Sequence, residues 1–198
     1  MKKTMDLSIP AAFADPVGDA QAAFRLILGC MAEPGTVQTL SRTPATVPGL
    51  SAAAAAAALS LADFETPVWL GQKSKPAAPW LRFHCGTPIV DEPGRARFAL
   101  ADAGETLPDL ESFDLGTDEF PDRSATLIIE LPDLQTGKGL RLSGPGIADT
   151  HRLEAAGLVP AFWARRAALA PLFPRGLDLI LTCGARMAAL PRTTRVES

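Results

Sequence analysis

The sequence predicts an α/β fold in which a mixed β-sheet is flanked by helices. Two observations support this prediction. Patterns typical of helices and of short strands alternate through the first hundred residues, whereas the later strands pair with near neighbours through short turns. These local pairings disfavour a purely parallel, doubly wound sheet. The 198 residues are 47% apolar and contain no internal repeat, which fits a single domain over residues 1–198.

Three helices are predicted from apolar spacing and from capping residues. The first covers about 16–32, with Asp15 as N-cap and Pro16 at the first helical position, and Pro34-Gly35 ends it. The second covers about 51–62, and its small alanine face allows a close approach to the sheet. The third covers 161–169 and ends before Pro171.

Strands are predicted from apolar runs or from alternation. Trp80 to Cys85 alternates, which predicts a strand with Arg82 and His84 on one face. The continuous apolar run 126–131 predicts a central strand, with 140–142 as its candidate partner across a turn at 135–139. Other predicted features are strands at 36–40, 67–70, 97–101 and 178–182, a hairpin from 178–182 into 186–190, a loop at 143–147, and irregular chain with one short helix at 104–123.

Composition excludes several classes of function. The formal net charge of −3 and the pI near 5.4 argue against a general nucleic-acid binder. No apolar run approaches the ~20 residues of a membrane span, and the N-terminus lacks the apolar core of a secretory signal, so we expect a cytoplasmic protein. The distant and odd-numbered cysteines Cys30, Cys85 and Cys183 fit a reducing compartment.

Familiar catalytic motifs are absent from the sequence. No G-x-S-x-G nucleophile elbow or dinucleotide fingerprint occurs, and Gly137-Lys138-Gly139 fits a β-turn rather than a phosphate loop. His84 and Cys85 are neighbours on the predicted strand and point to opposite faces, so we predict no metal site. The catalytic residues, if the chain has any, stay unassigned.

The best candidate site in the sequence is one that binds an anion. Arginine forks with neighbouring hydroxyls suit phosphate or carboxylate, and the loop 143–147 has glycines that allow its backbone to approach a ligand closely. Salt bridges to the acidic region 102–122, a plain tight turn and a buried ion pair are the alternatives. The candidates are Arg82, His84, Gly144, Gly146, Arg186, Arg192, Thr193 and Thr194.

Glu33-Pro34-Gly35, after the first helix, has two interpretations. It is a simple helix stop, or it holds a carboxylate near a subunit interface. On the second interpretation, the interface candidates are Arg25, Glu33, Pro34 and Gly35.

Five blocks of sequence together resemble the PhnH family, the H subunit of the carbon–phosphorus lyase core complex. They occur in the family's order and cover nearly the whole chain. The blocks are 24–35, 63–70, 81–84, 140–147 and 176–194.

The resemblance implies a fold similar to that of pyridoxal-phosphate-dependent transferases, without the cofactor. It also implies a homodimer in isolation, association with PhnG, PhnI and PhnJ, and help in forming ribose 1-methylphosphonate 5-triphosphate from ATP and methylphosphonate. Activity of the chain alone is not expected from it. The residues agree about the cofactor, because no lysine lies where a buried Schiff base is plausible. These lysines are Lys2, Lys3, Lys73, Lys75 and Lys138.

Two alternatives to a subunit remain open. A stand-alone phospho-ligand-binding protein or small-molecule transferase should bind a nucleotide or phosphonate, and should lose that binding on Arg192→Ala. A relic pyridoxal enzyme should show visible absorbance when the cofactor is added.

Overall fold

The computed structural model describes residues 9–197, and its helices match the sequence prediction except for one. The helices are α1 (Pro16–Ala32), α2 (Ala52–Leu61), α3 (Ala78–His84) and α4 (Pro160–Ala168). The strands are β1 (Gln38–Thr39), β2 (Val68–Leu70), β3 (Ile89–Val90), β4 (Phe98–Asp102), β5 (Thr126–Glu130), β6 (Leu134–Ser143), β7 (His151–Ala155), β8 (Asp178–Cys183), β9 (Arg186–Leu190) and β10 (Arg195–Glu197).

Within residues 9–197 the strands form a seven-stranded sheet and a three-stranded sheet. The large sheet has the order β1-β9-β8-β5-β4-β2-β3. Neighbouring strands from β3 to β8 in this order are parallel, whereas β9 pairs antiparallel with both β8 and β1. The small sheet is antiparallel, in the order β10-β6-β7. The predicted α/β class with a mixed sheet is therefore confirmed.

The large sheet lies between two apolar layers. Leu100, Ile128 and Ile180 pack on the side of α1, α2 and α3. Leu127 and Leu179 point to the other side, toward the small sheet and α4. Because both faces of the central strands are covered, the middle residues of these strands are mostly apolar, and the charged residues lie at the strand ends.

The predicted caps and the alanine helix are confirmed. The Asp15 carboxylate accepts a hydrogen bond from the Gly18 amide at 3.1 Å, and Ser51 Oγ accepts one from the Ala54 amide at 3.2 Å. The alanines 53–58 are all buried, since α2 is covered by neighbouring elements around its circumference. Alanine side chains are short, so α2 can approach the sheet closely.

The strand predicted at Trp80–Cys85 is wrong, because this segment forms the helix α3. Six residues are too few to distinguish alternation along a strand from less than two turns of a helix. In α3 the buried residues are the adjacent Trp80 and Leu81, which a strand would place on opposite faces. In the helix, Trp80 Nε1 and His84 Nε2 both lie within 2.9 Å of the Pro10 carbonyl oxygen. Arg82 is exposed instead and does not share a face with His84.

The predicted pairing of 140–142 with 126–131 is also wrong. Leu140–Leu142 belongs to β6 in the small sheet, whereas β5 pairs with β4 and β8. The turn predicted at 135–139 lies inside β6, where the register against β7 shifts between Thr136 and Leu140. The predicted β-turn is therefore wrong, although Gly137 and Gly139 both have positive φ, the backbone conformation that glycine adopts readily.

The remaining loops follow the sequence prediction. Residues 104–123 are irregular, with two single 3₁₀ turns at Leu110–Ser112 and Pro121–Arg123 instead of one short helix. The loop at 143–147 and the hairpin of β8 and β9 are confirmed. In the part of the chain that the structure describes, no helix is long and apolar enough to cross a membrane.

Candidate functional site

The loop after β6 and the segment that leads into β10 meet and line one cavity, which we call the glycine-loop cavity. Its volume is about 660 Å³, and its wall includes Ser143, Gly144, Thr193, Thr194 and Arg195. Gly144 has φ +133°, and a Cβ on it would lie 2.9 Å from the Thr193 carbonyl oxygen. A side chain at this position would therefore push the two segments apart. The cavity brings together Gly144, Arg192, Thr193 and Thr194 of the predicted candidates.

Arg192 borders this cavity, but contacts within the chain use its donors. Its side chain makes two hydrogen bonds to the Asp178 carboxylate, at 3.2 and 2.5 Å. The others go to the carbonyl oxygens of Pro121 (2.8 Å) and Pro174 (3.2 Å) and to Ser124 Oγ (2.6 Å). A guanidinium has five N–H donors, so none is left for a ligand. Arg192 therefore ties β8 and two loops to the chain's C-terminal segment.

Arg166 is a cavity residue that the sequence interpretation missed. It lies on α4 with only 7% of its surface exposed. Its Nη atoms donate to the carbonyl oxygens of Thr194 at 2.8 Å and Pro191 at 2.7 Å. Burial lowers the pKa of this guanidinium to about 10. The sequence does indicate that Arg166 is buried, because it follows Phe162 and Trp163 by four and three residues and so lies on the same face of the helix.

Arg186 lies elsewhere, at the turn between β8 and β9. Its guanidinium donates to the Leu134 carbonyl oxygen at 2.8 Å, to Asp133 at 3.1 Å and to Cys183 Sγ at 3.2 Å. The hydrogen bonds to Cys183 and Asp133 raise the pKa of Arg186. The predicted arginine cluster is therefore divided between two regions of the molecule.

Gly146 and the predicted interface motif join two layers of the fold. A Cβ on Gly146 would lie 2.2 Å from the Ala32 carbonyl oxygen at the end of α1. Pro34 and Gly35 are buried in the chain's own interior, and the Pro34 carbonyl oxygen lies 2.8 Å from His151 Nδ1. Arg25 and Glu33 are exposed, so they remain accessible to a partner.

Comparison with known proteins identifies the family. A family model described as "Bacterial phosphonate metabolism protein (PhnH)" matches residues 11–197. The chain belongs to the PhnH family. It is 43% identical over 188 residues to the "Alpha-D-ribose 1-methylphosphonate 5-triphosphate synthase subunit PhnH" of Rhizobium meliloti, covering 94% of each chain. It is also 38% identical over 102 residues to the "Putative C-P lyase subunit protein HtxG" of Stutzerimonas stutzeri, covering 52% of this chain and 51% of the relative.

This PhnH-family chain has a second polar region at the carboxyl ends of its parallel strands. Asp102 and Glu130 are the last residues of β4 and β5 and are partners in register, and Cys183 ends β8. Lys73, after β2, contacts Asp102 at 2.6 Å. Lys73, Asp102, Glu130 and Cys183 border a cavity of about 470 Å³. The connections of β2 and β4 run in opposite directions here, and open α/β sheets bind ligands at such a switch point.

Sequence interpretation missed this edge because each residue occurs singly and outside any motif. The available signal was position, since Asp102, Glu130 and Cys183 each directly end an apolar strand. Most of the polar atoms are already paired. Glu130 accepts from Thr182 Oγ1 at 2.5 Å and from the Gly184 amide at 3.0 Å.

The described thiols and carboxylates, those of residues 9–197, do not assemble a metal centre. Over residues 9–197 there is no group of three or more histidine, cysteine, aspartate or glutamate side chains placed to hold an ion. Burial raises the pKa of the Cys30 and Cys85 thiols to about 11, so both are protonated at neutral pH.

Proposed function

We propose that this chain is a subunit of the carbon–phosphorus lyase core complex. In that role it assists the formation of ribose 1-methylphosphonate 5-triphosphate from ATP and methylphosphonate during phosphonate catabolism. The observation that carries the proposal is the match over 94% of the chain to a protein named as the synthase subunit PhnH. The shorter match to a relative named as a C-P lyase subunit supports it.

The proposal includes PhnG, PhnI and PhnJ as partners and no turnover by the isolated chain. Its support is the chemistry of the described side chains. Lys73 and Lys75 are exposed, and Lys73 forms an ion pair, so neither resembles a buried Schiff-base lysine. The free cysteines fit the proposed cytoplasmic location, since thiols persist in a reducing compartment.

Genetic complementation combined with co-purification tests this function. A strain that lacks its own PhnH should regain growth on methylphosphonate as the phosphorus source when it expresses this chain together with its cognate subunits. A tagged copy should then co-purify PhnG, PhnI and PhnJ. Failure to restore growth, with a folded chain that retains none of these subunits, would refute the proposal.

The finer comparison of folds is also a proposal. We propose that the large sheet is related to that of pyridoxal-phosphate-dependent transferases and that the chain acts without the cofactor. Its support is a seven-stranded mixed sheet in which β9 runs antiparallel beside parallel strands. A superposition on transferase structures that failed to match the strand order would refute the relationship.

A homodimer of the isolated chain has support in the outer face of α1. Val17, Phe24 and Leu28 are exposed there by 81%, 48% and 57%. With the exposed Gln21 they are spaced four, three and four residues apart, like the seam of a coiled coil. The order of these spacings is the same from either end of the helix. In an antiparallel pair, each position of the stripe therefore lies opposite a position of the partner's stripe, as a two-fold interface requires.

A second candidate function is a stand-alone protein that binds a phosphorylated small molecule, or a transferase acting on one. The glycine-loop cavity, with arginines on its wall, favours this candidate. The two functions differ in where the activity resides. Ligand binding or turnover by the purified chain, with no retained subunits, would favour the second candidate.

A further inference from the structure

The glycine-loop cavity has an unbalanced charge on its wall. Arg166, Arg192 and Arg195 line it, and the described residues contribute no carboxylate to the lining. The serine and threonine hydroxyls of the wall are neutral, so they do not offset this charge. A cavity whose wall carries arginines and no carboxylate favours anions over cations.

The three arginines differ in whether a carboxylate neutralises them. Arg192 is paired with Asp178, with Nη2–Oδ2 at 2.5 Å. Among residues 9–197, no carboxylate lies within 4 Å of the side-chain nitrogens of Arg166 or Arg195 (the ion pairs of this region are Arg192–Asp178 and Arg141–Glu197). Arg166 and Arg195 therefore have no directly bonded counter-charge, although the nearby Asp178 partly offsets the effect of burial on the pKa of Arg166.

Arg166 pays the larger desolvation cost, because it is buried. Its hydrogen bonds go to backbone carbonyls, and its Nε has no partner in the described structure. Beside it, the Thr194 hydroxyl is buried, with 2% of the residue exposed, and is likewise unpartnered over residues 9–197. Buried donors are normally satisfied, so these two atoms leave the buried side of the cavity wall short of acceptors, although both are closed off from the cavity itself.

We propose that the glycine-loop cavity is a binding site for a tetrahedral oxyanion, the phosphoryl or phosphonyl group of a small molecule. Arg195 contacts the anion from the open side, and Arg166 supplies positive charge from the buried side. The hydroxyls of Ser143 and Thr193, which line the cavity and are only half-buried, are the neutral donors. A volume of about 660 Å³ accommodates such a group with an organic substituent.

This site belongs to the single chain and does not depend on the proposed role in the complex. The site also assigns Arg192 a different role from the one predicted from the sequence. Arg192 supports the cavity wall, and the positive charges without a direct partner are on Arg166 and Arg195. Nucleotides, free phosphate and alkylphosphonates all carry a tetrahedral phosphorus oxyanion. Titrating each compound separately shows which of them the site binds.

The test is calorimetric titration of the purified full chain at low ionic strength with inorganic phosphate, methylphosphonate, ATP and sulfate in separate arms. We expect at least one phosphorus oxyanion to bind with a dissociation constant below 1 mM, roughly the affinity of a few charge-assisted hydrogen bonds. Arg195→Ala should weaken it by about 10- to 100-fold, with Arg195→Lys intermediate. Arg82→Ala, an exposed arginine outside the cavity, is the matched control and should leave binding unchanged.

Thr193→Val separates binding from folding. Thr193 lines the cavity and is half-buried, so this nearly isosteric change should leave the melting temperature without ligand close to that of wild type while weakening the binding of the anion several-fold. The proposal is wrong if no phosphorus oxyanion binds the folded wild-type chain at 10 mM. It is equally wrong if Arg195→Ala and Thr193→Val both bind as tightly as wild type, or if sulfate and every phosphorus oxyanion bind alike and independently of Arg195, which indicates an adventitious ion only.

Discussion

Replacing Arg192 with alanine tests whether this residue is structural or binds a ligand. The change removes the guanidinium, whose hydrogen bonds join Asp178 of β8 to the loops around Pro121 and Pro174. It also leaves Asp178, whose side chain is only 21% exposed, without its counter-charge. Losing one partner of a buried ion pair costs about 3–5 kcal/mol of stability. Because Asp178 is partly exposed, we expect a loss of about 3 kcal/mol, at the lower end of this range.

Urea unfolding followed by circular dichroism measures the loss, and calorimetry measures the melting temperature. For a domain of this size we expect Arg192→Ala to lower the Tm by about 6–12 °C. The Tm of Arg192→Lys should lie between those of wild type and Arg192→Ala, because an ammonium retains the charge but cannot form the two hydrogen bonds of the guanidinium to Asp178. Arg195→Ala is the control and should change stability by less than about 0.5 kcal/mol, since Arg195 is exposed. An Arg192→Ala chain as stable as wild type that has lost phosphate binding would refute this reasoning.

Other positions give predictions for backbone strain, self-association and pH. Gly146→Ala should lower the free energy of unfolding by about 2 kcal/mol or more in urea titrations, because φ is +81° and the new Cβ would overlap the Ala32 carbonyl oxygen; an unchanged midpoint would contradict the geometry. Phe24→Glu should shift sedimentation toward monomer at equal concentration, whereas the control Val159→Glu, exposed on the opposite layer, should not; equal behaviour of the two would remove α1 from the interface. A hydrogen bond from the Asp15 amide, then Arg42, lowers the pKa of Asp19, so its stabilisation is complete above the ordinary pKa near 3.8 and is lost as pH falls through the lower folded value. Asp19→Asn should therefore destabilise the chain at pH 6 and converge with wild type in strong acid, and a pH-independent difference would exclude this linkage.

Local signals in the sequence were sufficient for most elements of the fold. Asp15, Pro16 and Ser51 mark helix starts by capping chemistry, which depends on a few adjacent residues. The buried strand at 178–182 and its hairpin follow from a long apolar run and a Cys-Gly turn. Such features are predictable because they need no knowledge of distant residues.

The errors arose where tertiary contacts decide between local alternatives. Trp80 and Leu81 are buried side by side in α3 because α3 packs against α2 and the segment around Pro10, which no short window contains. Leu140–Leu142 is apolar enough for either sheet. Its place in the small sheet depends on pairing with His151–Ala155 and with the last residues of the chain.

Membership in a family motif does not distinguish residues that bind from residues that hold the scaffold. Gly146 and Arg192 belong to the blocks that resemble the family, yet the Ala32 carbonyl and the Asp178 carboxylate account for them within the chain. Arg166 is the opposite case, because its position on the apolar face of α4 gave no sign of a ligand role, and only its packing shows a buried charge without a directly bonded carboxylate. A guanidinium whose donors are all used within the chain can be assigned to the scaffold, so the search for a ligand begins with the charges that the fold leaves unmatched. In this chain those charges are on Arg166 and Arg195, which line the glycine-loop cavity.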